Sequence, residues 1–265
     1  MSYFSYGSHQ IYYESHGEGK PLILLHGNTA SCRMFDPIIP LLAGKYHVVT
    51  MDFLGCGRSD HLVSWPSDLW YEWSRQVCAL CGHLGFSEVY FAGTSGGALA
   101  AINAALEYPQ LVRAVAADSF AGIRADSAVT NQIQAGRSQA KGIEGFRSYL
   151  RSLHGEDWEQ VFDADTDAVM RHAKEIEAYF HQPLSDLRPP LLLTGSEEDE
   201  MFPSGHYQQL FSEICRESRR AEAYIFPHGG HPAMMSNMEE YVSLLNRFVI
   251  AKKNGSSGES DQNRP

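Results

Sequence analysis

The sequence predicts an α/β fold with a mostly parallel central sheet and helices on both of its faces. Short aliphatic runs of the kind that parallel sheets bury recur along the chain, as in Leu22 to Leu25. Segments with helical spacing of apolar residues alternate with these runs, and this order of elements favours parallel strands. The sharpest predicted turn, Gly93 to Gly97, carries a serine between a strand and a helix.

The alternation begins after an amino-terminal hairpin predicted around Gly7 and Ser8. Further strands are predicted at 22–25, 46–51, 89–92, 111–117, 191–194 and 222–226. Helices are predicted at 31–43, 67–83, 98–106, 204–215 and 238–251. Ser31 is the predicted cap of the first of these helices, because its hydroxyl is a good acceptor for free backbone N–H groups.

The region 120–187 is predicted to be an inserted helical lid. It is polar, no strand-like run interrupts it, and helical patterns occur near 129–137, 142–153 and 165–181. The core domain is then formed by 1–119 together with 188–251. The last residues, 252–265, are rich in Ser, Gly and Asn and are predicted to be a disordered tail.

Composition limits the partners that the protein is expected to have. The chain has 265 residues, 43% of them hydrophobic, which suffices for one sizeable core. A formal charge of −11 argues against nucleic acid or an anionic membrane as a partner, since both bind basic surfaces. We expect a small-molecule substrate and, because the amino terminus lacks a basic segment followed by an apolar one, a cytoplasmic location.

The cysteines predict neither a disulfide framework nor a metal site. Their number is odd, five, and they are scattered along the chain. Cys78 and Cys81 have the spacing of a redox pair, but they fall inside a predicted helix and have no further ligands nearby. Buried, reduced thiols are the expected state, and the sequence predicts no cofactor.

The turn that carries Ser95 has the composition of a strained strand-to-helix elbow. Gly93 and Gly97 flank the serine at two residues on either side, where backbones in such a turn come too close for a Cβ. The serine hydroxyl is then exposed at the carboxyl edge of the sheet. The backbone N–H of Gly96 would lie at a helix N-terminus, where it can stabilise a negative oxygen.

Several motifs occur together in one chain order. They are His26-Gly27 after a strand, Asp52 with Gly55-x-Gly57-Arg58-Ser59, the elbow at Ser95, the helical insertion, Gly195 leading to Asp199 and Pro203, and Gly230-His231. With this set the chain resembles the α/β-hydrolase superfamily from Leu22 to Ile250. The resemblance implies the α/β-hydrolase fold with a helical cap and a catalytic triad in the order Ser, Asp, His.

A serine hydroxyl becomes a good nucleophile when an imidazole takes its proton. His231 is the predicted base, since it lies in a loop straight after a strand and the resemblance favours a histidine preceded by Gly-Gly. His228, three residues earlier, is the alternative. The resemblance gives His26 a different role, bracing its own turn.

A carboxylate is expected behind the imidazole, to hold one tautomer and to stabilise its positive charge. Spacing back from Pro203 favours Asp199, whereas spacing from Gly195 allows Glu198. Asp118, after the preceding strand, occupies a second position that relatives use for the acid. It is instead expected to face the pocket or to cap the start of the lid.

The resemblance also implies an oxyanion hole made of two backbone donors, the N–H groups of Gly96 and Asn28. In the lid, several large apolar residues are candidates for a pocket wall or for packing of lid against core: Leu153, Trp158, Phe162, Tyr179 and Phe180. The polar lid residues Arg124, Arg137 and His154 are expected to be exposed more often than substrate-bound.

The predicted function is hydrolysis of a carboxylic ester through an acyl-enzyme on Ser95. The same residues serve C–C or amide bond hydrolysis, acyl transfer and perhydrolase chemistry, which differ in pocket shape and water access. A ligand-binding or signalling protein with vestigial turnover is the alternative from another class. The sequence assigns neither the substrate nor the oligomeric state.

Overall fold

A single sheet organises the fold of residues 2–255, the part of the chain that the structure, a computed structural model, describes. Its eight strands are β1 (Ser2–Tyr6), β2 (His9–His16), β3 (Lys20–Leu25), β4 (Tyr46–Met51), β5 (Val89–Thr94), β6 (Val112–Asp118), β7 (Leu191–Ser196) and β8 (Ala221–Phe226). Their spatial order is β1-β2-β4-β3-β5-β6-β7-β8. β2 pairs antiparallel with β1 and β4, and the remaining neighbours are parallel, so the predicted fold class is confirmed.

Helices connect these strands and follow the last of them. Those of the described residues are α1 (Ile39–Leu42), α2 (Leu69–His83), α3 (Gly96–Glu107), α4 (Ser127–Ala140), α5 (Glu144–His154), α6 (Trp158–Glu175), α7 (His206–Glu217), α8 (Ala233–Ser236) and α9 (Met238–Gly255). Short 3₁₀ segments lie at Cys32–Phe35, Gly155–Asp157 and Leu184–Asp186. Within the same residues, no helix has the length and apolar content needed to span a bilayer.

The strand β3 shows how the sheet is buried on both faces. Ile23 and Leu25 belong to the core cluster that contains residues of α2, α3 and α7. Leu22 and Leu24 point the other way, into the cluster that contains residues of α1 and α9. All four are fully buried, which contributes about 1.5–3 kcal/mol for each side chain. An unbroken aliphatic run is therefore required here.

The helix predicted from Ser31 to residue 43 is not continuous. A 3₁₀ turn, Cys32–Phe35, is followed by the separate short helix α1. Pro37 lies between them and has no N–H to donate to a helical bond, which explains the interruption. Ser31 makes no side-chain capping bond, so its predicted role was wrong.

The lid region contains three helices, α4, α5 and α6, of which the third differs from its predicted bounds. α6 begins at Trp158, seven positions before the predicted start at 165, and ends at Glu175 instead of 181. Its buried face starts with Trp158 and Val161, so the true register begins earlier. Glu177 adopts a left-handed φ of 68°, which no helix continues through. The division of the chain at 120 and 187 stays a prediction.

All five large apolar residues predicted in the lid are buried, and four of them fall into two groups. Trp158 and Phe162 form a cluster with Leu150 that packs α5 against α6. Tyr179 and Phe180 belong instead to the main core. These side chains therefore contribute to packing within the lid and between the lid and the core.

At the carboxyl end, α9 continues to Gly255, so the first four residues of the predicted disordered tail are helical. The rest of that predicted tail, 256–265, lies outside the described residues.

The first turn of α3 approaches the end of β3 more closely than any side chain allows. A Cβ on Gly97 would lie 2.2 Å from the carbonyl oxygen of Leu25 and 2.6 Å from that of His26. A Cβ on Gly93 would lie 2.3 Å from the carbonyl oxygen of Gly97. The two glycines of the predicted elbow are therefore required by backbone packing.

We expect Gly97→Ala to lower the melting temperature strongly, because the new methyl group would meet backbone atoms that cannot rotate away. Gly82→Ala is the matched control: this helical glycine has open space around it, and alanine favours a helix by up to about 1 kcal/mol. Thermal unfolding of both variants checks the expectation. Equal melting temperatures for the two variants would contradict it.

Candidate active site

Ser95 lies at the tip of the turn between β5 and α3 in a strained conformation. Its φ of 53° and ψ of −123° fall outside the regions that residues other than glycine normally occupy, at a cost of about 1–3 kcal/mol. Its N–H donates to the Asp118 carbonyl oxygen over 2.8 Å, and its own carbonyl oxygen accepts from the N–H of Ala98. The surrounding backbone thus holds the half-buried serine in place.

The loop after β3 packs directly against this serine. A Cβ on Gly27 would lie 2.8 Å from Ser95 Cβ and 3.4 Å from its Oγ. A Cβ on Gly96 would lie 2.2 Å from Asn28 Oδ1. The structure therefore brings Ser95, Gly96 and Asn28 together at the carboxyl ends of β3 and β5.

Asp199 and His231 lie in contact at the same edge of the sheet. His231 Nδ1 is 2.9 Å from Asp199 Oδ2. The Asp199 carboxylate also accepts from the Tyr207 hydroxyl at 2.6 Å and from the Met201 N–H at 2.9 Å. The side chains of the pair are 1% and 15% exposed, respectively, so most of this contact is shielded from water.

The surroundings of Asp199 keep its carboxylate ionised. Burial raises its pKa, but the hydrogen bond and the charge of His231, with the Tyr207 and Met201 donors, outweigh burial and hold the pKa below its usual value. An ionised Asp199 accepts a hydrogen bond from the Nδ1–H group of a neutral imidazole. The other ring nitrogen, Nε2, then carries a free lone pair.

The alternative residues Glu198 and His228 form a separate pair at the surface. His228 Nδ1 lies 3.5 Å from Glu198 Oε1, and their side chains are 80% and 60% exposed. Glu198 also accepts from the Gly229 N–H. Water screens such a pair, so it holds an imidazole far less firmly than the buried pair does.

Asp118 was expected to face the pocket or to cap the start of the lid, but it is fully buried, and Asp126 is the residue that caps α4. The Asp118 carboxylate accepts from the hydroxyls of Thr94 and Thr194, at 3.0 and 2.7 Å, and from the N–H of Met234. It thereby ties β5 and β7 to the segment that follows His231. Burial raises the pKa of Asp118 to about 6, against the lowering effect of these donors.

Sequence reasoning missed a set of lid side chains that contact the loop after β3. Asp165 accepts from Asn28 Nδ2 and from the Thr29 N–H, and it pairs with Arg137. His154 lies 3.1 Å from the Thr29 carbonyl oxygen through Nε2. Asp165 interrupts the apolar stripe of α6, and an acid on a buried stripe is the pattern that identifies it.

Two of these side chains correct an expectation. Arg137 and His154 were expected to be exposed, yet the Arg137 side chain is 14% exposed and His154 is buried. Burial lowers the pKa of His154, which keeps its ring neutral. In the neutral ring, Nδ1 accepts from the Gly57 N–H and Nε2 donates to Thr29.

The five cysteines are free, and burial raises the pKa of the Cys78 and Cys81 thiols. Among residues 2–255, no group of three or more His, Cys, Asp or Glu side chains is arranged to hold a metal ion.

The chain belongs to the alpha/beta hydrolase family, whose pattern residues 22–244 match. This assignment confirms the resemblance carried by the elbow and by the motifs that follow the strands. The chain is therefore a member of a family of hydrolases.

Among its relatives is a protein of Azorhizobium caulinodans provisionally named carbamate hydrolase RutD. It is 26% identical over 242 residues, which cover 84% of this chain and 89% of the relative. A 2-hydroxy-6-oxo-6-(2'-aminophenyl)hexa-2,4-dienoic acid hydrolase of Metapseudomonas resinovorans is 23% identical, covering 92% and 88%. A carboxylesterase structure from the thaumarchaeon Nitrososphaera gargenis superposes with a TM-score of 0.74 at 16% identity, over 96% and 100% of the chains, which shows a shared fold.

The raised pKa of Asp118 predicts how stability depends on pH. Between about pH 4 and pH 6 the unfolded chain releases this proton while the folded chain keeps it, so the free energy of unfolding falls by up to about 3 kcal/mol as pH rises. Asp118→Asn should remove this contribution. Chemical denaturation at pH 4 and pH 6.5 measures it, with Asp163→Asn as the exposed control. The prediction is contradicted if the difference in unfolding free energy between the wild type and Asp118→Asn is the same at both pH values.

Proposed function

We propose that this protein is a serine hydrolase that cleaves carboxylic esters through an acyl intermediate on Ser95. The observation that carries the proposal is the buried Asp199–His231 pair, with Nδ1 and Oδ2 2.9 Å apart, at the sheet edge where the strained Ser95 turn lies. Asp118 links the two parts, because it binds both the Ser95 N–H and the segment after His231.

In the first half of the reaction, Ser95 Oγ attacks the ester carbonyl carbon as His231 Nε2 takes the hydroxyl proton. The carbonyl oxygen becomes negative and accepts from the N–H groups of Gly96 and Asn28. One such donor is typically worth about 3 kcal/mol in the transition state. The imidazolium then gives its proton to the departing alcohol, leaving Ser95 acylated.

In the second half, a water molecule attacks the acyl carbon and His231 takes its proton. The carboxylic acid leaves, and Ser95 recovers its proton from the imidazolium. Asp199 stays ionised throughout and stabilises the positive ring. We assign the acid to Asp199 in preference to Glu198, because a shielded carboxylate interacts with the imidazolium more strongly than a solvated one.

A second candidate function is hydrolysis of a bond other than an ester by the same residues. The relatives named as a carbamate hydrolase and a dienoic acid hydrolase favour it. A small-molecule substrate and a cytoplasmic location remain predictions from the sequence.

The proposal is tested with a fluorophosphonate probe and p-nitrophenyl esters of increasing acyl length. We expect the wild-type protein to be labelled and to turn over repeatedly. Ser95→Ala should abolish labelling and lower kcat/KM by at least about 10³-fold, with little change in melting temperature.

A Ser95→Ala variant that keeps most of the activity would overturn the mechanism. Labelling with turnover of carbamates or amides but not esters would favour the second candidate. Labelling with one turnover or fewer would favour a ligand-binding protein instead.

The choice of acid is tested by a matched pair of amide substitutions. Asp199→Asn should lower kcat/KM by about 10³-fold or more, because the imidazole loses its tautomer and its counter-charge. Glu198→Gln should change it by less than about threefold, since that carboxylate is exposed. Steady-state kinetics on one ester compare the two, and the reverse ranking would place the acid at Glu198.

A further inference from the structure

Asp165, a residue of α6, is fully buried. Within the described residues, its carboxylate accepts hydrogen bonds from the loop after β3 and from one arginine. Oδ2 accepts from Asn28 Nδ2 at 2.9 Å and from the Thr29 N–H at 3.1 Å. Oδ1 accepts from Arg137 Nη1 at 2.7 Å. Both carboxylate oxygens therefore accept hydrogen bonds, and the positive charge of Arg137 balances the buried negative charge.

The contacts converge on a strained stretch of backbone. Thr29 has a left-handed φ of 58°, which a β-branched residue rarely adopts. Its N–H is held by Asp165, and its carbonyl oxygen accepts from His154 Nε2. Lid side chains thus bind Thr29 on both sides and offset the strain.

Asn28, one residue earlier, is held at both ends of its side chain. Its Oδ1 accepts from Trp70 Nε1 at 3.0 Å, and its Nδ2 donates to Asp165. With the following N–H bound as well, the residue has little freedom to rotate. The direction of the Asn28 backbone N–H is consequently set by groups that do not themselves touch the proposed oxyanion.

We infer that Asp165 is a positioning residue that aims the Asn28 N–H at the oxyanion and so couples the lid to catalysis. The inference rests on the proposed function, because it needs an oxyanion beside Ser95. Asparagine cannot replace the carboxylate: an amide nitrogen at the Oδ2 position would face two donors, and at the Oδ1 position it would face Arg137.

The test compares Asp165→Asn with Asp163→Asn, which removes an exposed acid from the same helix. Rates are normalised to the fraction of protein that the fluorophosphonate labels, which corrects for misfolded protein. We expect Asp165→Asn to lower kcat about 10- to 100-fold with KM changed less than about threefold. Asp163→Asn should behave as the wild type.

A second measurement separates a misplaced Asn28 N–H from a general distortion of the pocket. A trifluoromethyl ketone forms an oxyanion-bearing adduct with Ser95, whereas the matching alcohol fills the pocket without one. Asp165→Asn should weaken the ketone in parallel with kcat and leave the affinity for the alcohol unchanged. Equal weakening of ketone and alcohol, or an unchanged kcat, would overturn the inference.

If Asp165→Asn does not fold, Asn28→Ala carries the test, since it removes the side-chain tether and keeps the backbone N–H. The same loss of kcat and ketone affinity is expected, and wild-type values would overturn the inference. A wild-type protein without Ser95-dependent turnover would instead overturn the proposed function itself.

Discussion

The close approach of α3 to the end of β3 sets the geometry on which the candidate site depends. Without side chains at Gly93 and Gly97, the helix can start directly beside the Leu25 and His26 carbonyl groups. The chain must then pass through a strained conformation at Ser95. This strain lifts the serine above the sheet and places Gly96 at the helix N-terminus. Packing on both faces of the sheet offsets the free-energy cost of this strained backbone.

Parallel strands explain why residues far apart in the sequence meet. β3, β5, β6, β7 and β8 run in the same direction, so the loops after them emerge at one edge. Ser95 follows β5, Asp199 follows β7 and His231 follows β8. Side chains of α5 and α6 contact the loop after β3: His154 bonds to Thr29, and Asp165 bonds to Asn28.

Three buried aspartates show how surroundings differentiate one side chain. Asp118 is bound by hydroxyls and one N–H, so burial dominates and raises its pKa. Asp199 has an imidazole and a phenol, which hold its pKa low despite burial. Asp165 is paired with Arg137 and fastens two elements together. One type of side chain thus serves in three ways: Asp118 links elements of the structure, Asp199 is an electrostatic partner, and Asp165 makes a positioning contact.

The strands, the elbow and the order of the motifs could be predicted from the residues alone, because they follow from the burial period and from turns that only glycine permits. Two predicted helices differ from the observed ones for different reasons. Pro37 interrupts the segment after Ser31, whereas α6 begins at Trp158, which packs in the cluster between α5 and α6. The difference in burial between Asp199 and Glu198, and the contact between Asp165 and Asn28, arise when the chain folds. The physical reason is that desolvation and long-range hydrogen bonds depend on what surrounds a side chain, which spacing along the chain does not encode.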